Sequence, residues 1–201
     1  MPKIKYTKNE LKHQRNALQR YQRYLPTLEL KKAQLQIEVR KADGEIAKKL
    51  AEDKEKRAYL ATWVRLLSED IDIGAYIHVQ EVKQRTGNVA GVNVPVCESI
   101  SFRRAPVDYF ATPAWIDDGI AILEQLLTLR IELQIIEKQR KLLAEELLVT
   151  SQRVNLFEKI KIPECVGNIR KIRIYLGDEQ AAAVSRAKMV KKNAIEIRSA
   201  V

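Results

Sequence analysis

The sequence predicts an all-α protein: a long antiparallel coiled coil of two helices, with a small β-hairpin in the region where the chain turns. Three observations predict this fold. Leucine and other apolar residues recur at heptad spacing over most of the chain. The 201 residues include only 7 glycines and 6 prolines, so little interrupts a helix. One segment near the middle is instead rich in β-branched residues around glycines.

The first predicted helix occupies residues 1–72 and is helical from about Lys8. Its apolar residues fall on two heptad registers three residues apart, which is the spacing of a coiled-coil seam. The seam residues of this helix are Leu18, Tyr21, Leu25, Leu28, Leu35, Val39, Ala42, Ile46, Leu60, Trp63 and Leu67. Lys49, Asp53 and Lys56 interrupt the seam. We interpret Lys48–Arg57 as a locally loose stretch of coil, with a point of flexure or a partner contact as the alternative.

Residues 73–112 form the predicted turn region. Ile77–Phe102 contains two β-prone runs on either side of Gly87–Gly91, which is the pattern of a β-hairpin. Pro95 cannot donate to a sheet ladder, which argues against a central strand. We therefore expect a small, exposed, two-stranded flap that leans on the helices, because such a hairpin is only marginally stable alone.

The second predicted helix occupies residues 113–201, with Thr112 as its N-cap and Pro113 in its first position. Its seam residues are Leu126, Leu129, Leu133, Ile136, Leu143, Leu147, Val154 and Phe157, and the apolar series continues with Val166, Ile169, Ile172 and Leu176. Pro163 predicts either a kink or the start of a separate helix in line with the last one. Antiparallel pairing within the chain is favoured because the polypeptide turns round once, and a four-helix homodimer stays open.

The net charge of +10 is concentrated at the two ends of the chain. Residues 1–65 hold 17 Lys and Arg against 8 Asp and Glu, and residues 163–201 hold 8 against 4. If the helices are antiparallel, both basic ends lie at the same tip. No aromatic residues are interleaved with the basic runs, so solvated helix faces are favoured over nucleic-acid contacts.

No arrangement of residues predicts catalysis, a metal site or a bound cofactor. His13 and His78 lack a second ligand at metal-binding spacing. Gly87 and Gly91 are not followed by the lysine and hydroxyl residue of a phosphate-binding loop. We therefore expect a protein that is not an enzyme in its own right.

The cysteines and the hydropathy indicate where the protein resides. Cys97 and Cys165 fit no redox or metal-binding spacing, so reduced, structural thiols are expected. No apolar run approaches the roughly 20 residues of a membrane span, and no secretory leader opens the chain. These features predict a cytoplasmic protein.

Ser151–Pro163 resembles the arginine–valine–asparagine to isoleucine–proline signature of the D subunit of V-type and A-type rotary ATPases. The matching residues are Arg153, Val154, Asn155, Leu156, Glu158, Ile162 and Pro163. Tyr24–Leu35 looks like the leucine- and lysine-rich segment of the same family, and Ile172–Glu179 also fits. The layout is similar along essentially the whole chain, and the likeness is closer to bacterial members than to eukaryotic ones.

What the resemblance implies is a central-stalk component, or rotor shaft, that transmits torque between a catalytic head and a membrane rotor ring during ATP-driven ion transport or ATP synthesis. In that family the paired termini enter a head of alternating A and B subunits, and the A subunits carry the chemistry. The F subunit binds the side of the coil, and the opposite end sits in a socket formed by the C subunit, which is called d in eukaryotes. The resemblance implies no cofactor, no nucleic-acid partner and no direct membrane insertion. It implies a cytoplasmic position peripheral to the inner membrane.

Two groups of residues are candidates for partner contacts. We expect basic residues near both ends to meet acidic loops of the head, namely Lys5, Lys8, Lys12, Arg15, Lys188, Lys191 and Lys192. Arg153 and Asn155 either set the coil register, contact a partner or are simply exposed. The alternative function is a coiled-coil scaffold or adaptor unrelated to rotary ATPases; a nucleic-acid-associated coil is suggested by the isoelectric point alone.

Overall fold

The described part of the chain forms three helices, a π-helical turn and one β-hairpin. The computed structural model describes residues 5–61, 74, 76–108, 112–113 and 115–199, with Ala61 and residues 195–199 described by backbone alone. Its elements are α1 (Lys8–Ala61), β1 (Ile77–Val89), β2 (Val92–Arg104), α2 (Ile116–Leu156), the π-helical turn (Phe157–Lys161) and α3 (Ile162–Ser199). The predicted all-α class with a hairpin between the helices is confirmed. The predicted seam residues Trp63 and Leu67, and the predicted end of the first helix at residue 72, lie outside the described residues.

The chain divides into two compact units: a first unit of residues 1–30 and 150–201, and a second unit of residues 31–149. In the first unit, the rings of Tyr6 and Tyr175 lie 5.1 Å apart and those of Tyr21 and Phe157 lie 5.0 Å apart. Residue numbers therefore rise on α1 as they fall on the partner helix. This is the antiparallel pairing that the sequence predicts for the two arms.

Helix α1 begins where a threonine caps it. The backbone N–H of Glu10 donates to Oγ1 of Thr7 at 3.2 Å, and the N–H of Leu11 donates to the Thr7 carbonyl at 3.0 Å. Threonine followed by glutamate three residues later is the sequence of a capping box, which satisfies amides that have no partner in the first turn. The helix then continues through Pro26.

The π-helical turn shifts the apolar face of the first unit by one residue. The N–H of Ile162 donates to the carbonyl of Phe157, five residues earlier. A heptad continued from Phe157 would turn Glu164 inward, but the buried residue is Cys165. Val166, which the apolar series placed with the seam, is 51% exposed. The kink expected at Pro163 stays a prediction, because helical structure continues on both sides of it.

The second unit contains the hairpin, whose two ends pack against helices. Near its turn, Val94 is buried with Leu35 of α1 and Leu143 of α2. Near its base, Ile77 is buried with Ile116 and Ile120 of α2. The strands pair antiparallel in a two-stranded sheet, and they are longer than predicted. These clusters agree with the expectation of a two-stranded hairpin that leans on the helices.

The turn of the hairpin lies at Ala90 and Gly91 rather than across Gly87–Gly91. Both residues have positive φ, 51° and 79°, which is the conformation of a type I′ turn. The side chain of Asn88 supports the turn by accepting a hydrogen bond from the N–H of Gly91 at 3.1 Å. Gly87 lies within β1, where a Cβ atom would come within 2.9 Å of Val96 Cγ2.

Helix α2 begins at Ile116, so the predicted N-cap at Thr112 and helix start at Pro113 are wrong. Oγ1 of Thr112 donates to the carbonyl of Asp108 at 2.6 Å, so it faces back along the chain instead of accepting from the new helix. The N–H of Ile116 donates to the carbonyl of Pro113 at 3.2 Å. The described residues just before Ile116 therefore form turns and not the first helical turn.

Candidate functional site

The predicted seam residues lie on the covered faces of the helices. Every one whose side chain the structure describes is buried or half-buried. The buried ones are Leu35, Ala42, Leu129, Leu133, Leu143 and Val154. The half-buried ones are Leu18, Tyr21, Leu25, Leu28, Val39, Ile46, Leu60, Leu126, Ile136, Leu147 and Phe157.

Polar contacts replace apolar ones where the sequence interrupts the seam in the second unit. Nζ of Lys49 lies 2.9 Å from a carboxylate oxygen of Glu132 on α2. Nζ of Lys56 donates to Oε1 of Gln125, also at 2.9 Å. Asp53, whose side chain is 16% exposed, binds Arg57 on its own helix. The stretch Lys48–Arg57 thus faces α2 through hydrogen bonds and ion pairs.

Two further ion pairs join α1 to α2 in the second unit. Nζ of Lys31 lies 2.6 Å from Glu146, and Nε of Arg140 lies 2.9 Å from Asp43. Both pairs are partly exposed, so each contributes little to stability. They do record which turns of the two helices face each other in the second unit.

The hairpin base carries the best-formed ion pair among the described residues. Nε and Nη2 of Arg104 donate to the two carboxylate oxygens of Glu124, each at 2.6 Å. This two-point contact is the strong geometry for arginine and carboxylate. Hydrogen bonding and charge from Arg104 hold the pKa of Glu124 below its usual value. A second anchor lies further along α2, where Nε2 of Gln139 donates to the Pro95 carbonyl at 2.5 Å.

The family-signature segment presents most of its side chains outward. Within the signature, Val154 alone is buried and Ile162 is half-buried. The exposed members are Arg153, Asn155, Leu156, Glu158 and Pro163. The segment coincides with the π-helical turn. Its polar residues are therefore placed where a partner could reach them, and none of them lies in the seam.

The basic head-contact candidates are all exposed and are spread along the first unit. Arg15 borders a hollow formed with α3 residues 166–174, and Lys8 borders another with α3 residues 176–183. Lys188 lies about 20 Å further along α3 than Ile174, at about 1.5 Å per residue. Lys8 lies nearer to this group, since it borders Ala183, five residues before Lys188, and α3 continues beyond the beginning of α1.

The last part of α3 has no covering helix within the described structure. Leu176 is half-buried, and every residue from Gly177 to Ala194 is exposed. The exposed apolar residues include Val184, Met189 and Val190, which are 55%, 67% and 68% exposed. A helix of this length without packing is marginal by itself. This segment is therefore a surface that a partner can cover.

The described residues hold no group of three or more His, Cys, Asp or Glu side chains that could bind a metal ion. The two cysteines are free thiols. Burial raises the pKa of Cys165, so this thiol is less reactive than an exposed one. In the described part of the chain, no helix is long and apolar enough to cross a membrane.

The sequence does not predict one surface that the structure shows, a hollow in the first unit flanked by Arg170 and Arg173 of α3. It lies where the π-helical turn moves the buried position from Glu164 to Cys165, with Val166 exposed beside it. The sequence does carry a signal for this shift, since Val154, Cys165 and Leu176 are spaced by eleven residues. A strict heptad permits a spacing of eleven residues once but not twice in succession.

Known proteins show a similar sequence over nearly the full length. A family model described as the D subunit of ATP synthase matches residues 10–192. A V-type ATP synthase D subunit of Borreliella burgdorferi is 44% identical over 196 residues, which are 98% of this chain and 97% of the relative. That of Chlamydia abortus is 34% identical over 192 residues, 94% of this chain and 92% of the relative. Together with the paired helices and the hairpin between them, these matches show that the chain belongs to the D-subunit family of ATP synthases.

Proposed function

We propose that this chain is the central-stalk component of a V-type ATP synthase, which transmits torque between the catalytic head and the membrane rotor during ATP-driven ion transport or ATP synthesis. The chain is non-catalytic in this proposal, and the A subunits of the head carry out the ATP chemistry. Its position is cytoplasmic and peripheral to the membrane. Its partners are the A and B subunits, the F subunit and the socket protein, named C or d.

The exposed end of α3 is the observation that carries the proposal. From Gly177 to Ala194 all side chains are exposed, and several of them are large and apolar. A surface of this kind favours a protein partner that covers it. Lys188, Lys191 and Lys192 add positive charge to the same segment, which suits a partner lined with acidic residues.

The antiparallel pairing supports the same function. A torque-transmitting pair of helices has to resist twisting, and buried side chains at successive turns provide that resistance. In the first unit the covered positions include Val154, Cys165 and Ile172. In the second unit they include Leu35 and Leu143.

The exposed signature residues extend the proposal to a second contact. Arg153 and Asn155 are exposed beside the π-helical turn, so neither is needed to fill the seam. A guanidinium and an amide at such a position offer several hydrogen-bond donors to a neighbouring protein. We propose that these two residues contact a neighbouring component of the stalk.

Truncation of α3 tests the proposal. The full chain should co-purify with A, B and F in fixed ratio, and a chain ending at Leu176 should lose A and B while it retains F. The retained F shows that the shortened chain still folds. The scaffold alternative predicts that neither form brings down A and B. Co-purification of A and B that is equal for the two forms would contradict the role given to α3.

A further inference from the structure

The first unit carries a groove on the flank of its helix pair, and we call it the arginine groove. Its hollow measures about 480 Å³ and lies between α1 and α3. Four aliphatic side chains line it, namely Leu18, Val166, Ile169 and Ile174. Three arginines complete the lining, Arg15 from α1 and Arg170 and Arg173 from α3. No carboxylate and no aromatic ring is among these lining residues.

The apolar part of the groove is open to solvent. Ile169 forms a covered floor at 8% exposure, whereas Val166 and Ile174 are 51% and 56% exposed. The π-helical turn moves the buried position to Cys165, and Val166 beside it is exposed. Adjacent exposed aliphatic side chains beside a covered one form a patch that a partner can bury.

The charged part of the groove has unused binding capacity. Within the described part of the chain, Arg15, Arg170 and Arg173 form no ion pair. A guanidinium group presents several N–H donors in a plane that matches a carboxylate. Three such groups around an aliphatic floor therefore complement a segment that combines carboxylates with an aliphatic side chain.

We propose that the arginine groove docks an acidic protein segment with an aliphatic anchor, contributed by a neighbouring component of the ATP synthase complex. The identity of that neighbour rests on the proposed function, whereas the chemistry of the groove does not. A nucleic acid would also supply anions, but single-stranded nucleic acids bind on aromatic platforms that this groove lacks. The aliphatic lining favours protein over nucleic acid.

Photocrosslinking in the assembled complex tests the proposal. Val166 is replaced by p-benzoylphenylalanine in the full chain, the complex is purified, and crosslinked peptides are identified by mass spectrometry. The expected product is a peptide of a neighbouring component in which Asp or Glu residues lie beside an aliphatic residue. A crosslink to a peptide without carboxylates, to nucleic acid or to lipid, or the absence of any crosslink, overturns the proposal.

Charge reversal provides the matched control. Arg170→Glu with Arg173→Glu should lower the crosslink yield by about tenfold or more, because two charge-assisted contacts are replaced by repulsion. Arg20→Glu with Arg23→Glu changes the net charge equally, on exposed positions of the same unit outside the groove, and should leave the yield within about twofold. An equal loss in both variants overturns the proposal. Thermal unfolding of both variants verifies that they fold.

The two proposals can fail separately. If A and B co-purify with the chain but Val166 gives no acidic crosslink, the arginine groove proposal fails and the proposed function stands. If Val166 crosslinks to an acidic segment of a protein outside an ATP synthase and A and B never co-purify, the groove chemistry stands and the proposed function fails.

Discussion

The ammonium group of Lys49 lies 2.9 Å from a carboxylate oxygen of Glu132, at a level where the seam between α1 and α2 has lost its large apolar side chains. The hydrogen bond to Glu132 is the main cause that holds the pKa of Lys49 above its usual value of 10.5. Both side chains are about one-third exposed, at 31% and 32%. Such a pair contributes less than a buried apolar contact, so we expect this level to be the least stable part of the helix pair.

Replacing that pair with leucines should strengthen the second unit. Lys49→Leu with Glu132→Leu restores an apolar contact at a seam position and should raise the free energy of unfolding by about 1–2 kcal/mol. Urea denaturation measures the change. Lys48→Leu, at an exposed neighbouring position, should change it by less than about 0.5 kcal/mol. A double variant that is less stable than the parent would show that the ion pair itself holds this level together.

The ion pair at the hairpin base should make stability depend on acidic pH. The pKa of Glu124 is lowered in the folded protein by Arg104, so its contribution is present above its unfolded pKa and is lost as pH falls through the folded value. The free energy of unfolding, measured in urea, should be lower below pH 4.5 than at pH 7. This loss should be smaller in Glu124→Gln than in the parent protein. Asp118→Asn, on an exposed position of the same helix, should keep the full loss. Identical pH profiles for parent and Glu124→Gln would contradict the assignment.

Two isoleucines in α3 form a matched pair for the seam of the first unit. Ile172 is fully buried and Ile174 is 56% exposed. Ile172→Ala should lower the free energy of unfolding by about 2–5 kcal/mol, because it leaves a cavity between the helices. Ile174→Ala should lower it by less than about 0.5 kcal/mol. Chemical denaturation measures the free energy of unfolding of both variants. Similar losses of stability in the two would mean that α3 is rotated from the orientation described.

Substitutions at the two residues of the hairpin turn should change the stability of the hairpin in opposite directions. Ala90 has φ of 51°, a left-handed conformation that alanine adopts at a cost, so Ala90→Gly should stabilise the hairpin by about 1 kcal/mol. Gly91 has φ of 79°, and Gly91→Ala should destabilise it by a similar amount, about 1 kcal/mol. Hydrogen exchange of the β1 and β2 amides reports each change. Shifts of the same sign in the two variants would exclude the type I′ turn.

The helical part of the fold could be predicted because heptad spacing reports directly which side chains are covered. Leu35, Leu133 and Leu143 are buried as that spacing requires. The same logic fails after Phe157, since an added residue in the π-helical turn rotates the covered face of the helix. Cys165 is therefore buried where a heptad continued from Phe157 would bury Glu164.

The other differences arise from tertiary contacts that local patterns do not contain. Thr112 and Pro113 have the composition of a helix start, but the Thr112 hydroxyl binds the Asp108 carbonyl and the helix begins at Ile116. The β-branched residues predict the hairpin, but they do not predict which residues of the helices it packs against. Val94 meets Leu143 only because α2 lies alongside, which no short-range pattern records.

The arginine groove could not be predicted from the sequence either, because it is formed by tertiary contacts between α1 and α3. In the sequence, Arg170 and Arg173 are two basic residues of a helix, and nothing there places them beside Arg15. The structure brings the three side chains to one hollow. The concentration of basic residues near the two ends follows directly from the sequence. Their distribution along the first unit depends on the pairing of Tyr6 with Tyr175, which leaves the end of α3 beyond the beginning of α1.

Observation of rotation in single assembled heads tests the central claim most directly. A bead attached to the hairpin, through a cysteine introduced at the exposed Thr86 in a chain whose Cys97 is replaced by serine, reports the motion of the chain against an immobilised head. We predict unidirectional rotation that requires ATP and stops when ATP is removed. A bead that stays fixed while the same heads hydrolyse ATP would contradict the claim that this chain is the rotor.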